Sequence, residues 1–325
     1  IHMANETQIP ANLVPKVWAA KVWTEGVKAS YFDKFTDANG NNVIHKNVKL
    51  KGVKGDKVYF GLAMNLTGDG IKGNNTLDGH EEELHIYDFA VPVELVRNAV
   101  ARFVADDQKS PYENLQIIKP ALQQWVTDWL DDTFIKKLTA APTAGEVIYA
   151  SAAGTEAGTT ANDKLTCALI SRARRKAMLH APKVNPVKVD GQDRYIMLVS
   201  PWAAKDLKTD PVWVQSQAQA NVRGRENPIF TGALGEYDGV ILYEYERILN
   251  TTTGASNANV CHNLLLGKQA ACFGVAKEAT PIKQVSDYGN REGNGISLYA
   301  GIEKSKYNGK DYGVIQVITG GTVEK

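Results

Sequence analysis

The 325-residue chain has 43% hydrophobic and 22% charged residues and a formal net charge of +1. That is ordinary globular usage, with length enough for one large or two moderate domains around a real core. The near-neutral balance argues against a dedicated nucleic-acid clamp, which carries a strongly basic face, though not against a protein that encloses nucleic acid; no run reaches the ~18 apolar residues of a membrane span.

Residues 1–3 read as a cloning remnant ahead of a native start at Met3 or Ala4, with no secretion signal behind them. Apolar residues then recur at Val14, Trp18, Val22, Val27, Tyr31 and Phe35. Spacings mostly of four predict an amphipathic helix or two helical pieces, with Pro15 at a first-turn position and Gly26 weakening the middle. This arm also carries Trp23, so something must cover it.

From residue 39 to 92 the pattern alternates. Val58, Phe60, Leu62 and Met64 fall on one face, "KGVKGDK" has the composition of a hairpin turn, and the glycine-rich "TGDGIKGNNTLDG" leads into a second extended run near "EELHIYDFAV". So few large side chains cannot fold compactly alone, which predicts an extended hairpin lying on a neighbour.

The strongest helix signal follows. Leu115, Ile118, Leu122, Trp125 and Trp129 keep spacings of three and four, with Val126, Leu130 and Ile135 continuing the apolar pattern. A helix from Tyr112 to Leu138 would be about 40 Å long, kinked at Pro120 or regular only from there. Residues 139–163 read as small-residue loop. Asn162 is the predicted cap of the next helix, which ends by Pro182. "RYIMLVSP" predicts a buried strand. Two short helices come next, the second capped by Asp210 with Pro211 at its first position. A polar loop, the run "LLLGKQAACFGVA" and two closing strands, "GISLYAGIEKSKY" and "DYGVIQVITGG", complete the chain. Without regular βα alternation, the class is α+β.

Little of this carries chemistry. The histidines of "HEEELH", His80 and His85, are five apart, roughly 140° around a helix, where a zincin needs i and i+4; solvated polar residues are the better reading. Cys261, His262 and Cys272 match no common zinc spacing, and Cys272 reads as a small core residue. The odd number of cysteines (Cys167 is the third) argues for a reducing compartment. Asp131 and Asp132 diverge on the long helix and read as solvated. Gly232, Gly235 and Gly239 precede the β-rich "VILYEYERI", so they make corners, with a tight turn at Asp238-Gly239; a phosphate cradle needs a helix there. The cluster "DYGNREGNG" is likewise followed by a strand. Arg172, Arg175 and Lys176 share a helix face, with Arg174 apart. That face can meet phosphates or acids on a neighbouring subunit, and the second reading is favoured.

Taken in order, "KVWAAKVWTEGVKASYFDKF", "DKVYFGLAMNLTGDGIKGNNTLDGHEEEL", "LQQWVTDWLDD", "NPIFTGALGEYDGVILYE", "DYGNREGNGIS" and "YGVIQVITGG" resemble the major capsid proteins of tailed bacteriophages, in the branch typified by the coat protein of coliphage N-four. The resemblance implies the Hong Kong 97-type coat fold. An N-terminal arm would span 4–38 and an extended loop 39–94; a spine-helix peripheral domain would span 95–145, completed by 300–325, and an axial domain 146–299. It implies a non-enzymatic subunit, without cofactor or metal, that assembles into hexamers and pentamers of an icosahedral virion head around double-stranded DNA. Assembly would occur in the host cytoplasm, with separate scaffolding and portal proteins as partners. On this reading Trp18, Trp23, Tyr31, Phe35, Val58, Phe60, Leu62 and Met64 are interface residues, and Arg172, Arg175 and Lys176 contact DNA or a neighbouring subunit. The alternatives are the shell of a cargo-holding nanocompartment, a metal-dependent hydrolase using "HEEELH" or the cysteine–histidine pair, and a nucleic-acid-binding module at the arginines.

Overall fold

Buried side chains alternate along adjacent strands, and that alternation organises the molecule around two sheets. The computed structural model describes residues 30–48, 57–63, 70–74, 76–82, 86–105, 114–143, 145–189, 191–219, 234–307 and 309–322. In chain order the elements are β1 (Thr36–Asp37), β2 (Ile44–Asn47), β3 (Lys57–Ala63), β4 (Ile86–Pro92), β5 (Glu94–Phe103), α1 (Asn114–Thr139), β6 (Val147–Tyr149), α2 (Cys167–Leu179), β7 (Val187–Val189) and β8 (Gln192–Val199). There follow α3 (Pro201–Lys208), α4 (Pro211–Gln219), β9 (Gly235–Tyr237), β10 (Val240–Glu244), β11 (Asn250–Thr251), β12 (Val260–Leu266), β13 (Ala271–Ser286), β14 (Arg291–Lys304), β15 (Lys306–Tyr307), β16 (Lys310–Asp311) and β17 (Val314–Gly320). The mixture is α+β.

One sheet has the order β6-β17-β12-β8-β10-β9, with β7 and β11 attached to β8 and β12. Successive residues of a strand point to opposite faces, and here both faces are covered. Ile196, Leu198, Leu264, Leu266 and Val314 join the core beneath α1. Tyr195, Met197, Val199, Leu265 and Val317 join a second core under α2, α3 and α4. This double burial explains why "RYIMLVSP" is a continuous apolar run rather than an alternating one.

The second sheet runs β1-β2-β13-β14-β5. Phe273, Val275, Ile296, Leu298, Ala300 and Ile302 pack with Leu122, Val126, Leu130, Phe134 and Leu138 of α1. The helix therefore serves as the shared backing of both sheets. Pro120 lies inside it, on the exposed side, and the helix is not ended there.

Strands β3 and β4 form the expected hairpin, pairing antiparallel from Lys57↔Pro92 to Ala63↔Ile86. Its base does not wait for a neighbour. Val58, Phe60, Val91 and Val93 bury themselves against Cys272 of β13. Two glycines make this approach possible: a Cβ on Gly274 would meet Val58 at 2.8 Å, and one on Gly301 would stand 1.9 Å from the Pro92 carbonyl oxygen.

Of the glycines expected at corners, Gly239 makes one, whereas Gly235 opens strand β9 opposite Leu242. Asp238 (φ 49°) and Gly239 (φ 69°) form the two-residue turn of the β9–β10 hairpin, with Tyr237 opposite Val240, the left-handed pair that such turns require. Gly232 lies outside the described residues. Of the "DYGNREGNG" cluster, residues 287–290 are the tip of the β13–β14 hairpin, with Asp287, Tyr288 and Gly289 all at positive φ, while residues 291–295 already belong to β14. Asp210 caps α4 through the Val212 amide (3.0 Å) and also accepts the Cys167 amide at 2.9 Å. That second bond explains a correction: α2 begins at Cys167 after Thr166, not behind Asn162. Asp163 instead accepts from the Thr160 amide and hydroxyl.

Candidate assembly surfaces

The groups with chemical potential act as struts. Asp131, expected in solvent, is 5% exposed; it accepts from the Ser30 hydroxyl (2.5 Å) and the Tyr31 amide (3.2 Å). Burial raises its carboxyl above the usual range, against the pull of these bonds and of Arg247. Asp132 is exposed and pairs with Arg247 at 2.9 Å, and Arg247 also holds Asp128. Lys304 and Asp311 form a buried pair at 2.7 Å. The Lys304 ammonium also donates to the Ala140 carbonyl, and Asp311 accepts the Thr143 amide, so the pair ties the end of α1 to β14 and β16.

All three cysteines are buried. Burial pushes the Cys272 and Cys167 thiols up to about 12, so neither is a thiolate nucleophile at neutral pH. Cys261 and His262 alternate along β12; the histidine stands 3.3 Å from Glu156. His80 lies in a loop and His85 outside the described residues, among which no cluster of three or more metal-ligating side chains occurs.

The predicted interface residues divide. Trp18, Trp23 and Met64 lie outside the described residues, as does the side chain of Leu62. Phe35 (3% exposed), Val58 (3%) and Phe60 (4%) are buried within the chain. Tyr31 packs on the same core as Phe35 and stacks on Tyr245 at 4.2 Å. These four pack within this chain: periodicity identifies an apolar face but not whose core the face joins. On α2, Arg172 and Arg175 are exposed, whereas Lys176 donates to the Val147 carbonyl (3.0 Å) and Arg174 pairs with Asp238.

Exposed apolar surface lies at the end of α2, on Met178 and Leu179, and also on the strands. Tyr59 (62% exposed) and Ile86 (65%) share the outer face of the β3–β4 hairpin. Beyond Val275 the β13–β14–β5 strands extend with Val100, Phe103, Ile282 and Val285 uncovered and Tyr288 fully exposed at the tip. The signal for Tyr59 was its place between Val58 and Phe60. Strand β5, half polar, gave no such signal.

Reactive groups used as struts, beside apolar side chains on projecting strands, define a structural subunit that binds through its surface. The chain matches the phage capsid protein family over residues 10–151 and 138–322. It is 25% identical to the major capsid protein of Pseudomonas phage KPP25, over 93% of each chain. Its fold is similar to the capsid of Ralstonia phage GP4 (TM-score 0.81, 25% identity, 100% of this chain and 96% of that one). It is similar also to the subunit in the capsid asymmetric unit of cyanophage Pam1 (TM-score 0.78, 22% identity, 99% and 96%). The chain belongs to the phage capsid protein family and is a shell-forming major capsid protein.

Proposed function

We propose that the subunit has the Hong Kong 97-type coat arrangement and closes into an icosahedral head of hexamers and pentamers around double-stranded DNA. The arm would be 4–38 and the extended loop 39–94; the peripheral domain would be 95–145 with 300–325, and the axial domain 146–299. The observation that carries this reading is the apolar surface on projecting strands, above all Tyr59, Ile86, Phe103, Val285 and Tyr288. Such surface on a single chain marks an interaction site. Overlapping extensions make interfaces above roughly 2,000 Å², in the obligate class, and closed symmetry stops them from propagating without limit. Near-neutral charge suits a lattice of many copies, which strong charge would drive apart.

Catalysis has no part in this role, and the partners are further copies, packaged DNA, and separate scaffolding and portal proteins in the host cytoplasm. The family match favours neither the nanocompartment nor the hydrolase. Arg172 and Arg175 are assigned to a neighbouring subunit before DNA, because Lys176 and Arg174 of the same helix already serve structural pairings.

The arm is the most direct test. Because residues from Ser30 onward are built into the core, the informative deletion is 4–28. Sedimentation of that variant should show a folded subunit that no longer forms shells, and normal shell formation would overturn the reading.

A further inference from the structure

The second sheet has two faces of unequal chemistry. Directly opposed residues of paired strands share a side, and successive residues alternate. The register therefore puts Arg102, Glu292 and Lys283 on the side of α1, where both cations reach the one carboxylate, at 3.2 and 3.7 Å. The opposite side carries Arg97 across from Ser297, Lys277 across from Tyr299, and Arg291 across from Phe103. All three of these cations are exposed, and among the described residues none has an acidic partner. Arg291 lies over the Phe103 ring at 5.8 Å, a contact that leaves its charge uncompensated.

The base of the β3–β4 hairpin covers the near end of this side, where the backbone at Gly274 and Gly301 lies against Val58 and Pro92. Beyond it the floor is small, with Ala99, Ala101, Gly293 and Gly295 between the cations, so a broad surface can come close. Along β14 the Tyr299 and Arg291 rows stand about 27 Å apart, and Arg97 lies about 7 Å from the first. A partner that engages all three cations must bring negative charge at intervals over that length. Double-stranded DNA does so, with one charge per ~1.7 Å of its axis. The acidic loop of another copy does not: Asp78, Glu81 and Glu82 span at most about 14 Å even when fully extended.

We propose that this side of the second sheet is a phosphate-binding face for the packaged duplex, with Arg97, Lys277 and Arg291 each taking one backbone phosphate. Such contacts position a duplex without reading its sequence. Three of them are weak in one copy, but a shell repeats them many times, and linked weak contacts add up to strong retention. A chain of net charge +1 can thus hold DNA without a dedicated basic clamp. The assignment rests on the coat reading and deepens it, since the α2 arginines are left to a neighbouring subunit.

The test is binding of the full-length subunit to a short double-stranded DNA over a series of salt concentrations. Arg97→Ala, Lys277→Ala and Arg291→Ala together should reduce the slope of log affinity against log salt by about 2–3, as three phosphate contacts require, while shells still form. Arg97→Gln with Lys277→Gln, which keeps Arg291 on Phe103, serves if the triple variant fails to fold; its slope should fall by about 2. An unchanged slope in a folded variant overturns the proposal. So does loss of shells with the slope kept, which would give the face to a neighbouring copy, and so does an unaltered subunit that binds no DNA at low salt. Shells that form with an unchanged slope would sink this assignment alone, whereas an unaltered chain that forms no shells would sink the coat reading.

Discussion

Asp131 ties the leading segment of the polypeptide to the helix behind it, and its titration reports on that tie. Its folded pKa is raised, with burial the largest cause. A raised carboxyl stabilises the fold in its protonated form: the contribution is complete below the unfolded value of about 3.9 and is lost as pH rises through the folded value. Asp131→Asn stays neutral throughout. Denaturant titrations between about pH 4 and pH 7 should therefore show the stability difference moving in favour of the variant as pH rises; a constant difference would contradict the assignment. The Lys304–Asp311 pair makes a second prediction at this scale. Asp311→Ala strands a buried ammonium and should cost about 3–5 kcal/mol in equilibrium unfolding. A cost near that of a surface pair would mean that water reaches the site.

Among the elements, the β3–β4 hairpin depends on backbone approach more than on side chains. A methyl at position 301 has no room beside the Pro92 carbonyl. Gly301→Ala should cost about 1–3 kcal/mol by overpacking and accelerate amide exchange in β3 and β4 more than in β12 and β17. Equal acceleration everywhere would indicate a global effect. On α2, Arg172→Ala with Arg175→Ala should leave the salt dependence of DNA retention unchanged while weakening subunit association. A reduced salt slope would assign the two arginines to phosphate instead.

The same elements show what was legible in advance. The long helix, the Asp210 cap and the Asp238-Gly239 turn follow from local rules, because a period of 3.6, a capping carboxylate and a left-handed turn pair are each decided within a few residues. Strand β6 was hidden because three residues, Val147–Tyr149, stand alone among small ones, and the strand exists through its parallel pairing with β17, 169 residues away at Ile148↔Val317. The full extent of β13 was hidden by Pro281, which a strand tolerates only at an edge; beyond Gly274 no pairing on that side is recorded among the described residues. The destinations of Phe35, Val58 and Phe60 needed the tertiary structure, since burial in one's own core and burial in a neighbour's obey the same alternation.

At the scale of the whole molecule, apolar area that a lone enzyme would bury is left outside on the hairpin face and on the distal strands of the second sheet. The interior is fully committed to holding those extensions in place. Two cores flank one sheet, a spine helix backs both sheets, and buried polar groups such as Asp131, Lys304 and Asp311 fasten the joints. The subunit is closely packed where it must position surfaces and uncovered where it must bind. The measurement that probes this most directly is sedimentation velocity of the purified full-length chain over rising concentration, with electron microscopy of the fractions. The account predicts large, closed particles or capsomer-sized rings. A chain that stays monomeric at every concentration and salt condition would contradict it.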